Sequence, residues 1–78
     1  MFEIFVGMEV EVTVRDAIQE LAVIYTGTLL ESDDNRIVMD VTSYRSSVFS
    51  KLARMGGELH GKMIINNRYI ISMFSTVN

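Results

Sequence analysis

Cysteine is absent from this chain, and proline with it. Without cysteine there can be neither a disulfide framework nor a thiolate metal site, and no redox compartment is indicated. Without proline, no strand is marked as a sheet edge by that device. The single histidine, His60, cannot form a cluster. Long apolar runs are missing too: none approaches the roughly 20 residues that span a bilayer. The opening "MFEIFVG" lacks the basic start and small-residue cleavage site of an export signal. The expectation is a cytoplasmic protein with no membrane association.

Catalytic parts are equally scarce. With no Cys, one His, and carboxylates crowded into one turn, no set of nucleophile, base and orienting group can be assembled. A non-catalytic protein without metal or cofactor is expected, and a composite site between subunits is the remaining route to an enzyme.

What the chain does have is 78 residues, enough for one domain spanning 1–78, with 49% hydrophobic content. A domain of this size buries only about 60–65% of its unfolded surface, so a lone core is marginal. Lacking disulfide and metal staples, it is expected to gain stability by subunit association. Charge is uneven: the net value is −3, and residues 1–40 hold nine carboxylates against Arg15 and Arg36, a balance of −7. Residues 41–78 hold Glu58 against Arg45, Lys51, Arg54, Lys62 and Arg68, a balance of +4. Either this is chance in a short chain, or the fold has two faces of opposite sign, suited to head-to-tail contact or to an anionic ligand.

Met8, Val10, Val12 and Val14 alternate with Glu9, Glu11, Thr13 and Arg15, the period of a half-buried strand. After the connection "RDAIQE", the β-branched and aromatic "LAVIYTGTLL" is a second strand, with Gly27 marking a bend or close backbone approach. "RIVMDV" is a third, with Ile37, Met39 and Val41 opposite Val38 and Asp40. In "SSVFSKLARMGGE", Ser46 or Ser47 can cap a short helix that stops at Gly56-Gly57; an irregular excursion is the alternative. "ELHGKMIIN" is a fourth strand broken by Gly61, and "NNR" turns into a fifth, "YIISMFSTV". In the fifth, Tyr69, Ile71 and Met73 are expected on one face and Ile70, Ser72 and Phe74 on the other. Five strands with short turns predict an all-β domain, one strongly bent sheet curling into a small barrel. Its uncharged last strand is the candidate edge, to be covered by a partner.

Between the second and third strands stands the polar knot Glu31-Ser32-Asp33-Asp34-Asn35. Its residue types are those a reversing backbone favours. Glu31 is expected to accept bonds from turn amides, and Asp33 and Asp34 to be solvated. A weak divalent-cation site shared by these three is an alternative, although no calcium-loop spacing supports it.

Gly7 followed by Val10, Val12 and Val14, then Gly27-Thr28-Leu29, Glu31 four positions before Asn35, and "IVMDV", resembles the first signature of the Sm-like family. That family comprises the LSm proteins and the bacterial Hfq proteins, and the likeness covers about 7–41. The second signature is sought in "IINNRYIIS". Aligned with the Hfq form, Asn67, Arg68 and Tyr69 fall where Tyr-Lys-His stand, and Ile71-Ser72 match Ile-Ser. Aligned with the LSm form, Asn66-Asn67 replace Arg-Gly. The first register keeps a cation in place.

The resemblance implies a five-stranded SH3-like (Sm) barrel whose fourth strand pairs with the fifth strand of the next subunit, closing a homo-oligomeric ring. It further implies that the two signature turns bind single-stranded, U- or A-rich RNA, in RNA metabolism or regulation. The expected contact set is Asn35, Asp33, Asn66, Asn67, Arg68 and Tyr69. Asn35 would read a base edge, Arg68 would pair with phosphate or stack, and Tyr69 would supply a stacking plane. Three features differ from the family pattern. Asp33 stands where a stacking ring or His is common. Only six residues precede Gly7, room for about one helical turn. The stretch "RDAIQELAVIYTG" is longer than usual. An oligomeric barrel used for structure or protein interaction, without RNA, is the alternative that the acidic pair Asp33-Asp34 favours.

Overall fold

The alternation in the first strand has the predicted effect: Val10 and Val12 are fully buried, Val14 is half-buried against them, and Glu9 and Arg15 are exposed. The computed structural model describes residues 1–16, 21–47 and 56–76. Its strands are β1 (Glu9–Asp16), β2 (Leu21–Ser32), β3 (Arg36–Ser47), β4 (Gly56–Asn66) and β5 (Ile70–Ser75). All pair antiparallel in one sheet of order β4-β3-β2-β1-β5. The protein is all-β and barrel-like. Leu29, Ile37, Met39, Val41, Ile65 and Met73 join Val10 and Val12 in one apolar core, and no polar side chain among the described residues is buried with them. Burying each such side chain stabilises the fold by about 1.5–3 kcal/mol relative to exposure.

Both predicted bends are present. At Gly27 the pairing of β2 with β3 shifts register between Thr26 and Gly27, and the two backbones close until no side chain fits between them. Gly61 has φ +154°, pairs with Val41 and adjoins the register shift between Val41 and Ser43. Bulges of this kind increase local twist and let a sheet curl. The curl leaves β4 and β5 as the two ends of the sheet, so both strands are edges, where the sequence suggested one.

Several boundaries differ from expectation. Ser46 and Ser47 end β3, paired with Val23 and Ala22, and Gly56-Gly57 begin β4 opposite Arg45 and Tyr44, so both strands reach further than the sequence suggested. The expected helix or excursion between β3 and β4 falls on residues 48–55, outside the described residues. Met8 lies just ahead of β1 and is exposed, its backbone oxygen accepting from Leu29 N at 3.0 Å. Tyr69 belongs to a 3-10 turn, Asn67–Tyr69, and not to β5.

The largest difference is in β5. Its pairing with β1 shifts register between Thr13 and Val14: Thr13 opposes Ser72, Val14 opposes Ile70, and Ile71 is the extra residue. Strict alternation therefore fails. Ile70 and Met73, three residues apart, both pack into the core, while Ile71 and Phe74 are 58% and 59% exposed.

The first six residues form a 3-10 turn, Glu3–Phe5, in place of a helix. Phe2 and Phe5 pack against the core, and Phe2 N donates to Ser32 Oγ at 3.1 Å. Opposite charges from the two halves meet at two places in the sheet. Arg45 pairs with Glu11 at 3.0 Å, and Lys62 lies directly across the strands from Asp40.

Candidate nucleic-acid interface

Two turns lie at the same end of the sheet, because β3 pairs with β2 on one side and β4 on the other. The first joins β2 to β3 through Asp33, Asp34 and Asn35; the second, at Asn67–Tyr69, joins β4 to β5. Arg36 and Asn66 are cross-strand partners, which sets the two turns side by side.

Asp33 shapes the first turn. Its Oδ1 accepts from the backbone amides of Asn35 at 2.7 Å and Arg36 at 2.8 Å, and its own N–H donates to the Arg36 carbonyl at 3.0 Å. This is the side-chain mimicry of a turn that makes aspartate common in such places. The Asn35 amide first, then that of Arg36, holds the Asp33 carboxyl below the usual carboxylate range, because both bonds favour the charged form. The Arg36 guanidinium adds to the effect from 3.6 Å. The amide-accepting role expected of Glu31 therefore belongs to Asp33.

The second turn has its own cap. Asn66 Oδ1 accepts from Arg68 N at 3.1 Å, a hydrogen bond to an orphan amide at the start of the 3-10 turn. The Arg68 guanidinium carbon lies 5.2 Å from the centroid of the Tyr69 ring, within cation–π range, and both side chains are exposed.

Asn67 connects the two. Its backbone N–H donates to the Asn35 carbonyl at 2.8 Å, and its Nδ2 donates to the Asp33 carbonyl at 2.9 Å. All six residues singled out in the sequence thus belong to two hydrogen-bonded turns held together. The side-chain amide of Asn35 takes no part in these bonds among the described residues and is exposed. Between them the two turns expose an amide, a guanidinium and a phenol ring: a donor–acceptor pair, a cation and a plane.

A second feature was not legible in the sequence. Val6, Glu31, Ser32, Asp33, Arg36 and Val38 line an open concavity of about 370 Å³ beside the first turn. It shares Asp33 with the candidate set and none of the other five. Nothing in the spacing of Val6 and Val38 signals that they meet. Among the described residues, Glu31, Asp33 and Asp34 do not gather into a group able to hold a metal ion. No helix among those residues is long and apolar enough to cross a membrane.

No family model, no curated protein and no solved structure matches this chain.

Proposed function

We propose that this chain is an Sm-like subunit that forms a homo-oligomeric ring and binds single-stranded U- or A-rich RNA without catalysis. The observation that carries the reading is the joining of the two signature turns. Asn35 and the neighbouring pair Arg68-Tyr69, distant in sequence, stand exposed on two turns that hydrogen bonds hold together, bringing an amide, a cation and an aromatic plane to one end of the sheet. Unpaired bases are read by such groups, through edge hydrogen bonds and stacking, while guanidinium also neutralises phosphate.

The ring part of the reading draws support from the sheet edges. β4 exposes Ile64 at 63% and β5 exposes Ile71 and Phe74, so each end of the sheet among the described residues combines an outer strand edge with apolar side chains. Pairing β4 of one copy with β5 of the next would satisfy both, and a ring would repeat one modest site, raising avidity.

A second reading, an oligomeric barrel for structure or protein interaction, is favoured by the charge at the first turn. Asp33 is held ionised there, with Glu31 and Asp34 exposed beside it, and these groups repel phosphate. Fluorescence anisotropy with labelled oligo(U) and oligo(A) at low salt separates the two. The RNA reading expects binding that Arg68→Ala weakens, with the slope of log affinity against log salt reduced by about 0.7. No binding to either homopolymer, with the oligomer intact, selects the second reading.

A further inference from the structure

Asp33 and Asn67 occupy positions where the resemblance expects groups that touch RNA, yet both are engaged with the protein's own backbone. Asp33 spends its Oδ1 on the amides of Asn35 and Arg36. Asn67 spends its N–H on Asn35 O and its Nδ2 on Asp33 O. The orientation of the Asn67 amide is fixed by this partner, since the reverse would set two acceptor oxygens face to face. It is retained although Asn67 Oδ1 is then buried without a donor.

We propose that Asn67 is a positioning residue, not an RNA contact. It clasps the β2–β3 turn to the β4–β5 turn, so that Asn35 on one and Arg68 and Tyr69 on the other form a single preorganised platform. Asp33 completes the clasp by shaping the turn whose carbonyl Asn67 holds. This rests on the RNA reading for its functional consequence; the clasp itself is a property of the protein alone. The physical effect is entropic. Two turns that moved independently would each have to be ordered when a nucleotide bridges them, and joining them beforehand removes that cost from binding.

The test uses the full chain with Asn67→Ala and Asn67→Leu, the second similar in size and neutral but lacking the Nδ2 donor. Two measurements are made on each: anisotropy with labelled oligo(U) and oligo(A) across a salt series, and amide hydrogen exchange of the free protein. Loss of one neutral hydrogen bond predicts affinity weakened about three- to tenfold. The salt slope stays at the wild-type value, since no cation is removed, in contrast to Arg68→Ala. In the free protein, the amides of Asn35 and Arg36 exchange faster by a similar factor, while that of Leu29 in the sheet keeps its protection.

Wild-type affinity in both variants overturns the positioning role while leaving the RNA reading standing. Weakened affinity with unchanged exchange at Asn35 and Arg36 overturns it as well, by making Asn67 a contact. If Leu29 loses protection too, Asn67 serves general stability and the proposal fails. If the wild-type chain binds neither homopolymer, the RNA reading fails and exchange alone judges the clasp: acceleration at Asn35 and Arg36 sustains it, and unchanged rates overturn it.

Discussion

Gly27 lies so close to the carbonyl of Asp40 that a Cβ on it would stand 2.0 Å from that oxygen and 2.8 Å from Val41 Cα. Two backbones meet there, and neither can swing aside as a side chain would. Gly27→Ala is therefore expected to force β2 and β3 apart, lowering stability by about 2–3 kcal/mol. Gly57→Ala is the control: its Cβ would meet the Tyr44 ring at 3.7 Å, an ordinary contact, and the change should stay within about 0.5 kcal/mol. Urea denaturation midpoints of the two variants check this, and equal midpoints would refute the close-approach account.

The N-terminal 3-10 turn divides its apolar side chains sharply. Phe5 packs against the core, whereas Ile4 is 77% exposed. Phe5→Ala is expected to cost about 1–2 kcal/mol, less than a fully buried phenylalanine because Phe5 is only half-buried. Ile4→Ala should be nearly silent. Thermal midpoints measured side by side test whether these few residues plug the barrel; a larger loss at Ile4 than at Phe5 would show that they do not.

Asp33 makes acid a probe of the first turn. Its carboxyl is held below the usual range by the Asn35 and Arg36 amides, so the folded state favours the ionised form. A depressed folded value contributes stability above the unfolded value, and that contribution disappears as pH falls through the folded one. The wild type should therefore melt higher than Asp33→Asn at pH 7, and the gap should close below about pH 4 as the carboxyl protonates. Taking the difference between the two cancels acid-sensitive groups that do not feel Asp33; Glu3, whose carboxyl is also lowered, chiefly by its hydrogen bond from the N-terminal amine, is raised slightly by the Asp33 charge and cancels only in part. A gap that is constant from pH 7 to strong acid would remove the carboxylate from the account.

Phe74 tests the edge. An exposed phenylalanine on an edge strand is expected to be covered by a neighbouring copy, so Phe74→Lys should shift the particle toward monomer in light scattering. Thr42→Lys, on the exposed side of the inner strand β3, should leave the mass unchanged. A wild-type monomer would dispose of the ring altogether.

These particulars show what sequence could and could not reveal. The period-two runs of β1 and of Ile37, Met39 and Val41 in β3 fixed their own faces, since burial on one side of a strand leaves that pattern. The continuation of β3 through "TSYRSS" was hidden because those residues are polar or half-buried on both sides. In β5 the alternation itself misled, for a bulge depends on pairing with β1 and has no local signature. At the site, residue types singled out two turns, which the pairing of Arg36 with Asn66 sets side by side. The exchange of roles between Glu31 and Asp33, and the reach of Asn67 across to Asp33, depend on where two distant segments come to lie, and adjacency of that kind is not written in either segment alone.

The bulge at Ile71 has a wider meaning. One added residue in β5 reverses the parity of everything after it, so that Ile70 and Met73 point inward while Ile71 and Phe74 point outward. The strand thus carries two separate inventories, one that holds the barrel together and one turned to the outside. Mutation can edit the second without disturbing the first. Cohesion and sociability, coupled in most small apolar strands, are here independently adjustable.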